Sequence, residues 1–145
     1  MKLKDFDFRI WDSNTNKFIE FAISDNIRAA PRENDDLVLE LWTGYFDKNG
    51  NKIYENDILK NEPLEEIYYI TRNDTYKMVE IIIYDKDCSN NLYRKKKSAG
   101  IELLKMLVSN KNMSVIGNIH ENADLLKEQN ETKKFHNQRL CRSIR

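Results

Sequence analysis

Tyr54, Glu55 and Asp57 are the side chains whose types and spacing could do chemistry. Glu55 and Asp57 stand at i and i+2, so on an extended segment they share a face and could act as a carboxylate pair. A small-molecule site or an enzyme would be centred here. Acids at that spacing also arise by chance in a chain of which 33% is charged. Nucleophile-elbow, phosphate-loop and HExxH patterns are absent from the sequence. A metal site could combine only Cys88, His120, His136 and Cys141, whose spacing fits no standard zinc pattern. The expectation is therefore no catalytic residue, no metal and no cofactor.

A second chemistry is cationic. Arg94-Lys95-Lys96-Lys97 follows Tyr93, and a second group, Lys133, Lys134, Arg139, Arg142 and Arg145, surrounds Phe135 and His136. Basic residues interleaved with aromatics can hold phosphates and stack on bases. A solvated loop and a solvated terminal helix are the favoured reading, because a pI near 6.7 lacks the domain-wide basic excess of many nucleic-acid binders. Phe135, Leu140 and Ile144 have near-helical spacing, so the tail could instead dock on a partner protein or a second copy.

The net charge of zero hides a segregation. Residues 33–66 hold ten acids against three bases, net −7, and residues 86–145 hold thirteen bases against six acids, net +7. Such a division favours self-association or separate acidic and basic partners, unless the charges interleave on the folded surface.

These groups need elements to position them. Phe6, Phe8 and Ile10 alternate with Asp7, Arg9 and Trp11, which predicts a strand; Asn14-Thr15-Asn16 turns it and residues 17–21 return. Residues 24–36 read as a loop. Leu37 to Trp42 reads as a strand, and Asp47-Lys48-Asn49-Gly50 as a tight hairpin turn. Ile53-Tyr54 resumes the sheet, Glu55-Asn56-Asp57 makes a turn whose side chains can cap amides, and Ile58-Leu59 returns to the core. Residues 67–70, 78–84 and 114–119 predict further strands, and Leu92-Tyr93 a short pairing segment. Ile101, Leu104, Leu107 and Val108 predict a helix over about 99–109. Short strands and tight turns imply a mainly β or α+β fold, a small β-barrel or strongly bent antiparallel sheet with one or two short helices and a C-terminal helical tail.

A chain of 145 residues is long enough for one core without staples. Met1 to Asp5 contains no apolar leader segment, no run nears the roughly 18 apolar residues of a membrane span, and two cysteines suit free thiols in a reducing compartment. A soluble, cytoplasmic protein is expected.

Three blocks carry a family likeness: Phe8-Arg9-Ile10-Trp11-Asp12, then Thr43 to Lys60 with its Asn-Gly and Tyr-Glu-x-Asp-Ile runs, then Val115-Ile116-Gly117-Asn118-Ile119-His120-Glu121-Asn122 followed by Leu125-Leu126. In this order, across residues 6 to 126, the chain resembles the YopX family of small proteins coded mostly by bacteriophages and prophages. The resemblance implies a small β-barrel with peripheral elements, and it divides the chain into a YopX-like domain, 1–126, and a basic extension, 127–145. Gly44, Asn49, Gly50 and Gly117 would serve the backbone. Arg9, Trp11, Asp12, Tyr54, Glu55, Asp57, Asn118, Glu121 and Asn122 would form either a recognition surface or, the favoured reading, a hydrogen-bond network pinning turns to strands, such as an Arg–carboxylate pair. The function expected is that of an accessory protein that binds a host macromolecule in the bacterial cytoplasm, with inhibition of a defence system such as a CRISPR effector as its finer form. A nucleic-acid-binding regulator is the alternative. The residues expected to bind are Trp11, Tyr54, Glu55, Asp57, Arg94, Lys95, Lys96, Lys97, Lys133, Lys134, Phe135 and Arg139.

Overall fold

The structure, a computed structural model, describes residues 1–19 and 35–127. Strand β1 (Phe8–Asp12) turns at Asn16, whose φ of 55° an asparagine tolerates, and returns as β2 (Lys17–Ile19). The free side of β1 pairs with β3 (Leu37–Phe46) and places Arg9 opposite Glu40. Cross-strand partners share a face, so this register brings a cation and an acid together. Strand β3 runs beyond the expected Trp42 because Gly44, at φ +91°, takes the left-handed conformation of a bulge and lets the strand bend and continue. It then pairs with β4 (Lys52–Tyr54), giving a sheet of order β2-β1-β3-β4.

Two residues later the second sheet begins. Its strands are β5 (Asp57–Asn61), β6 (Glu66–Asn73), β7 (Met78–Lys86), β8 (Leu92–Arg94) and β9 (Met113–Asn118), in order β8-β7-β6-β5-β9, each pair antiparallel. Helix α1 (Ile101–Ser109) lies between β8 and β9 in sequence and turns Leu104 and Leu107 inward. With Ile53, Leu59, Tyr68, Ile70, Ile81 and Met113 they form the main core. A smaller cluster of Ile58, Ile67 and Tyr84 is covered in part by Leu125 and Leu126. The period-2 alternation of β5 and β6 thus feeds two apolar layers, one on each face of the five-stranded sheet. Among the described residues the protein is mainly β, with one α-helix and a sheet curled into a half-barrel. The expected helical tail, with Lys133, Lys134, Phe135 and Arg139, lies outside the described residues. Among the described residues no helix is long and apolar enough to cross a membrane.

One expectation is corrected. Cys88, in the loop after β7, is disulfide-bonded and not a free thiol.

The outer edge of β9 meets the β3–β4 turn through a carboxylate. Asp47 Oδ1 accepts the Asn49 and Asn51 amides, and Oδ2 accepts the Val115 amide of β9 at 3.0 Å. Lys48 N–H adds a bond to Met113 C=O at 3.0 Å. Asp47 therefore shapes its own turn and caps an edge strand of the other sheet. Burial alone would raise its pKa, but these donors together outweigh burial and hold it below the ordinary 3.8. A lowered folded value means stability that is present above 3.8 and lost as pH falls through the folded value. Asp47→Ala, which leaves three amides without this acceptor, is expected to lose about 1–3 kcal/mol in urea unfolding. Asp47→Asn is expected to lose less of its own stability than wild type between about pH 5 and pH 3; equal acid sensitivity would show that Asp47 has no such role.

Candidate functional site

Charge is buried where the two sheets meet. Arg9 Nε donates to Glu40 Oε1 at 2.7 Å, and Nη2 donates to Asp57 Oδ1 at 2.7 Å and to Glu55 C=O at 3.3 Å. The guanidinium lies over the Phe18 and Tyr54 rings, 4.6 and 4.7 Å from their centroids. Glu40 is wholly buried. Its Oε2 accepts from Asn56 Nδ2 and lies 2.7 Å from His120 Nε2. Asp57 Oδ2 accepts the Tyr54 amide at 2.8 Å. Burial pushes the Asp57 carboxyl up, with Arg9 acting in the opposite direction. Glu55 Oε1 accepts the Leu41 amide at 3.0 Å, and Oε2 accepts Nε and Nη2 of Arg72 at 2.7 Å. Each carboxylate oxygen of Glu40, Glu55 and Asp57 thus has a protein partner, the condition for keeping ionised groups out of water.

Local sequence places these groups. Asn56, at φ 71°, makes the β4–β5 connection tight, a conformation asparagine tolerates better than branched residues. Its amide bonds to Ile70 C=O in β6, and its C=O accepts the Ile119 amide after β9 at 2.9 Å. The connection is therefore sewn into the second sheet while its acids reach the first. His120 is positioned by the residues around it. Asn118 Oδ1 accepts the His120 and Glu121 amides, and Asn122 Oδ1 accepts the Asn118 amide. A Cβ at Gly117 would run into the Asn122 side chain, so the close approach requires glycine. The His120 ring then stacks on Trp11, centroids 4.6 Å apart and planes 7° from parallel.

Beside this cluster, Asp7 Oδ2 accepts Lys52 Nζ at 2.8 Å and the Tyr54 hydroxyl at 2.7 Å. Lys52 also sits over Trp42. Burial, then the bond to Asp7, pushes the Tyr54 phenol well above its ordinary value, so the hydroxyl stays a donor.

The residues expected to bind fall into separate places. Trp11, Glu55 and Asp57 are buried and engaged inside the clamp, and Tyr54 is half-buried with its hydroxyl on Asp7. Arg94 to Lys97 lies at the far edge of the second sheet, from the end of β8 onward, where Lys95 approaches Glu66 and Asp85 at 3.5 and 3.7 Å and Lys96 and Lys97 are exposed. The clamp also holds residues the sequence reading did not single out: Glu40, Arg72 and Tyr69, the last donating to Asn56 Oδ1 at 3.0 Å. Glu40 had a readable signal as the one acid within the apolar run Leu37 to Trp42. Arg72, at the polar end of β6, had none.

An open groove of about 310 Å³ adjoins the clamp. Leu41, Trp42, Met78, Val79 and Ile101 wall it, and the Arg72–Glu55 pair lines its polar side.

The protein is thus a curled antiparallel-sheet protein with a charged clamp where its sheets meet. The YopX protein family profile matches residues 7–127, and the chain belongs to that family. All three blocks that carried the likeness fall within the match. No curated protein matches the chain. Among solved structures it is similar to protein EF1440 from Enterococcus faecalis, with 20% identity over 83% of this chain and 96% of that one and a TM-score of 0.43.

The clamp makes a sharp prediction. Arg9→Met leaves Glu40 and Asp57 buried without their shared cation and is expected to lose about 3–5 kcal/mol in urea unfolding. Arg9→Lys should recover only part, because one ammonium cannot reproduce the two-sided fork. Wild-type stability in Arg9→Met would show that the ion pairs do not hold the sheets together.

Proposed function

We propose that this protein is a phage or prophage accessory protein that acts by binding a host macromolecule and not by catalysis. The observation that carries the reading is the full engagement of Glu55 and Asp57. The two acids whose spacing suits acid–base work accept bonds from Leu41, Arg72, Arg9 and Tyr54 on every oxygen. A general acid or base must reach a substrate proton, and these groups face protein donors. The finer reading is inhibition of a host defence system such as a CRISPR effector. Its support is the association of the family with phages and prophages, an argument from family and not from a residue. The partner is a protein or a protein–nucleic-acid complex, met in the bacterial cytoplasm.

The exposure of Lys96 and Lys97 supports a second reading, a nucleic-acid-binding regulator. A tagged pull-down from host lysate, with and without nuclease, separates the two. The expected outcome is one host protein retained after nuclease treatment. Loss of every protein on nuclease treatment, with recovery of nucleic acid, would favour the regulator. Its affinity should then fall steeply with salt, and more gently once Lys96 and Lys97 are neutralised.

A further inference from the structure

We infer that the groove beside the clamp receives the carboxy-terminal residue of a partner protein, an apolar side chain against Trp42, Met78 and Ile101 with its α-carboxylate on Arg72. The inference rests on the binding function proposed above and names the contact.

Three observations lead to it. The first is an asymmetry between the two arginines of the clamp. Arg9 bridges two carboxylates, Glu40 through Nε and Asp57 through Nη2, and its side chain is 20% exposed. Arg72 holds one carboxylate, Glu55, through Nε and Nη2, and its side chain is 32% exposed. Among the described residues Nη1 of Arg72 has no acceptor. A guanidinium can serve two anions at once, as Arg9 does here, so Arg72 has the capacity for a second.

The second is the contrast within the groove. Its walls are apolar except for Thr43, whose hydroxyl already donates to Ile53 C=O, and Met78 is 62% exposed, a large side chain held at the surface. Both oxygens of Glu55 are already engaged, Oε1 by Leu41 N–H and Oε2 by Arg72, so the uncommitted donor on the groove's polar side is the guanidinium. Apolar walls around one guanidinium complement a ligand that is apolar with a single anionic end. They do not complement a polyanion, and the basic run Arg94 to Lys97 is not part of the lining.

The third is size. A volume of about 310 Å³ is near the lower limit of small-molecule sites. It suits one residue better than a longer segment. In a carboxy-terminal residue the anion and the apolar side chain belong to the same residue, whereas an internal Asp or Glu would need a second residue for the walls.

The test uses the full chain and three peptides read by NMR at the Met78 and Ile101 methyls and the Trp42 indole. Acetyl-Ala-Leu with a free carboxylate is expected to shift these signals saturably, about tenfold tighter than its carboxamide or acetyl-Leu-Asp-Ala carboxamide. Arg72→Gln should remove the preference. Because that change also leaves Glu55 without its cation, Met78→Glu is the second variant. It acts from an exposed position and should abolish binding of the free-acid peptide with the Arg72–Glu55 pair intact. Equal binding of the three peptides, no response at these signals, or a response to single-stranded oligonucleotide in place of peptide would overturn the inference. Repeating the pull-down with Met78→Glu keeps the two readings apart. Loss of the host protein supports the groove. Retention at the wild-type level overturns the groove and leaves the binding function standing. Failure of the wild-type pull-down counts against the function, and the peptide titration still decides the groove.

Discussion

Arg9 bridges two carboxylates and a backbone carbonyl at the junction of two sheets that share a connection of only two residues, Glu55 and Asn56. Glu40 comes from the first sheet and Asp57 from the second, so one guanidinium holds an acid from each. Removing carboxylates from water costs several kcal/mol each unless opposite charge and hydrogen bonds replace the water. That requirement sets the relative position of the sheets more tightly than apolar packing would, because apolar contact is non-directional and a two-sided fork is not. The Phe18 and Tyr54 rings over the guanidinium, the amides of Leu41 and Tyr54, and the His120 stack on Trp11 all serve the same small volume.

Burial also explains where the acidity of residues 33–66 goes. Glu40, Asp47, Glu55 and Asp57 are buried, and Glu66 faces Lys95. Four of the ten acids in that segment therefore point inward, and the acidic face that their number implied is much reduced. The charge that stays outward is the more scattered set of Asp35, Asp36, Glu62 and Glu65. The outward field of that segment is correspondingly weaker than its composition implies.

Two carboxylates thus do similar work by different means. Asp47 holds the open side of the half-barrel with backbone amides, and Asp57 holds its base with an arginine. The environments differ accordingly: burial dominates at Asp57 and raises its pKa, whereas at Asp47 the donors win and lower it. The contrast follows from the donors: Asp47 accepts from Asn49, Asn51 and Val115, whereas Asp57, more deeply buried, accepts from Arg9 and the Tyr54 amide.

Much of this fold was legible in the chain. Alternation in Phe6 to Trp11, the Asp47 to Gly50 turn and the spacing of Ile101, Leu104 and Leu107 are local signals, and local signals survive in sequence because they follow the strand and helix periods. The family, and the prospect of an Arg–carboxylate pair among its polar residues, could likewise be read from the three blocks. The partners could not. Arg9 meets Asp57 across 48 positions and His120 meets Glu40 across 80, and no period relates residues that far apart. Burial of Trp11, the part played by Arg72 and the groove beside it were decided by strand register and by the curl of the sheet. The sequence by itself determined the elements and the family; the tertiary structure decided which charges face one another, because pairing depends on distances that only the closed fold sets.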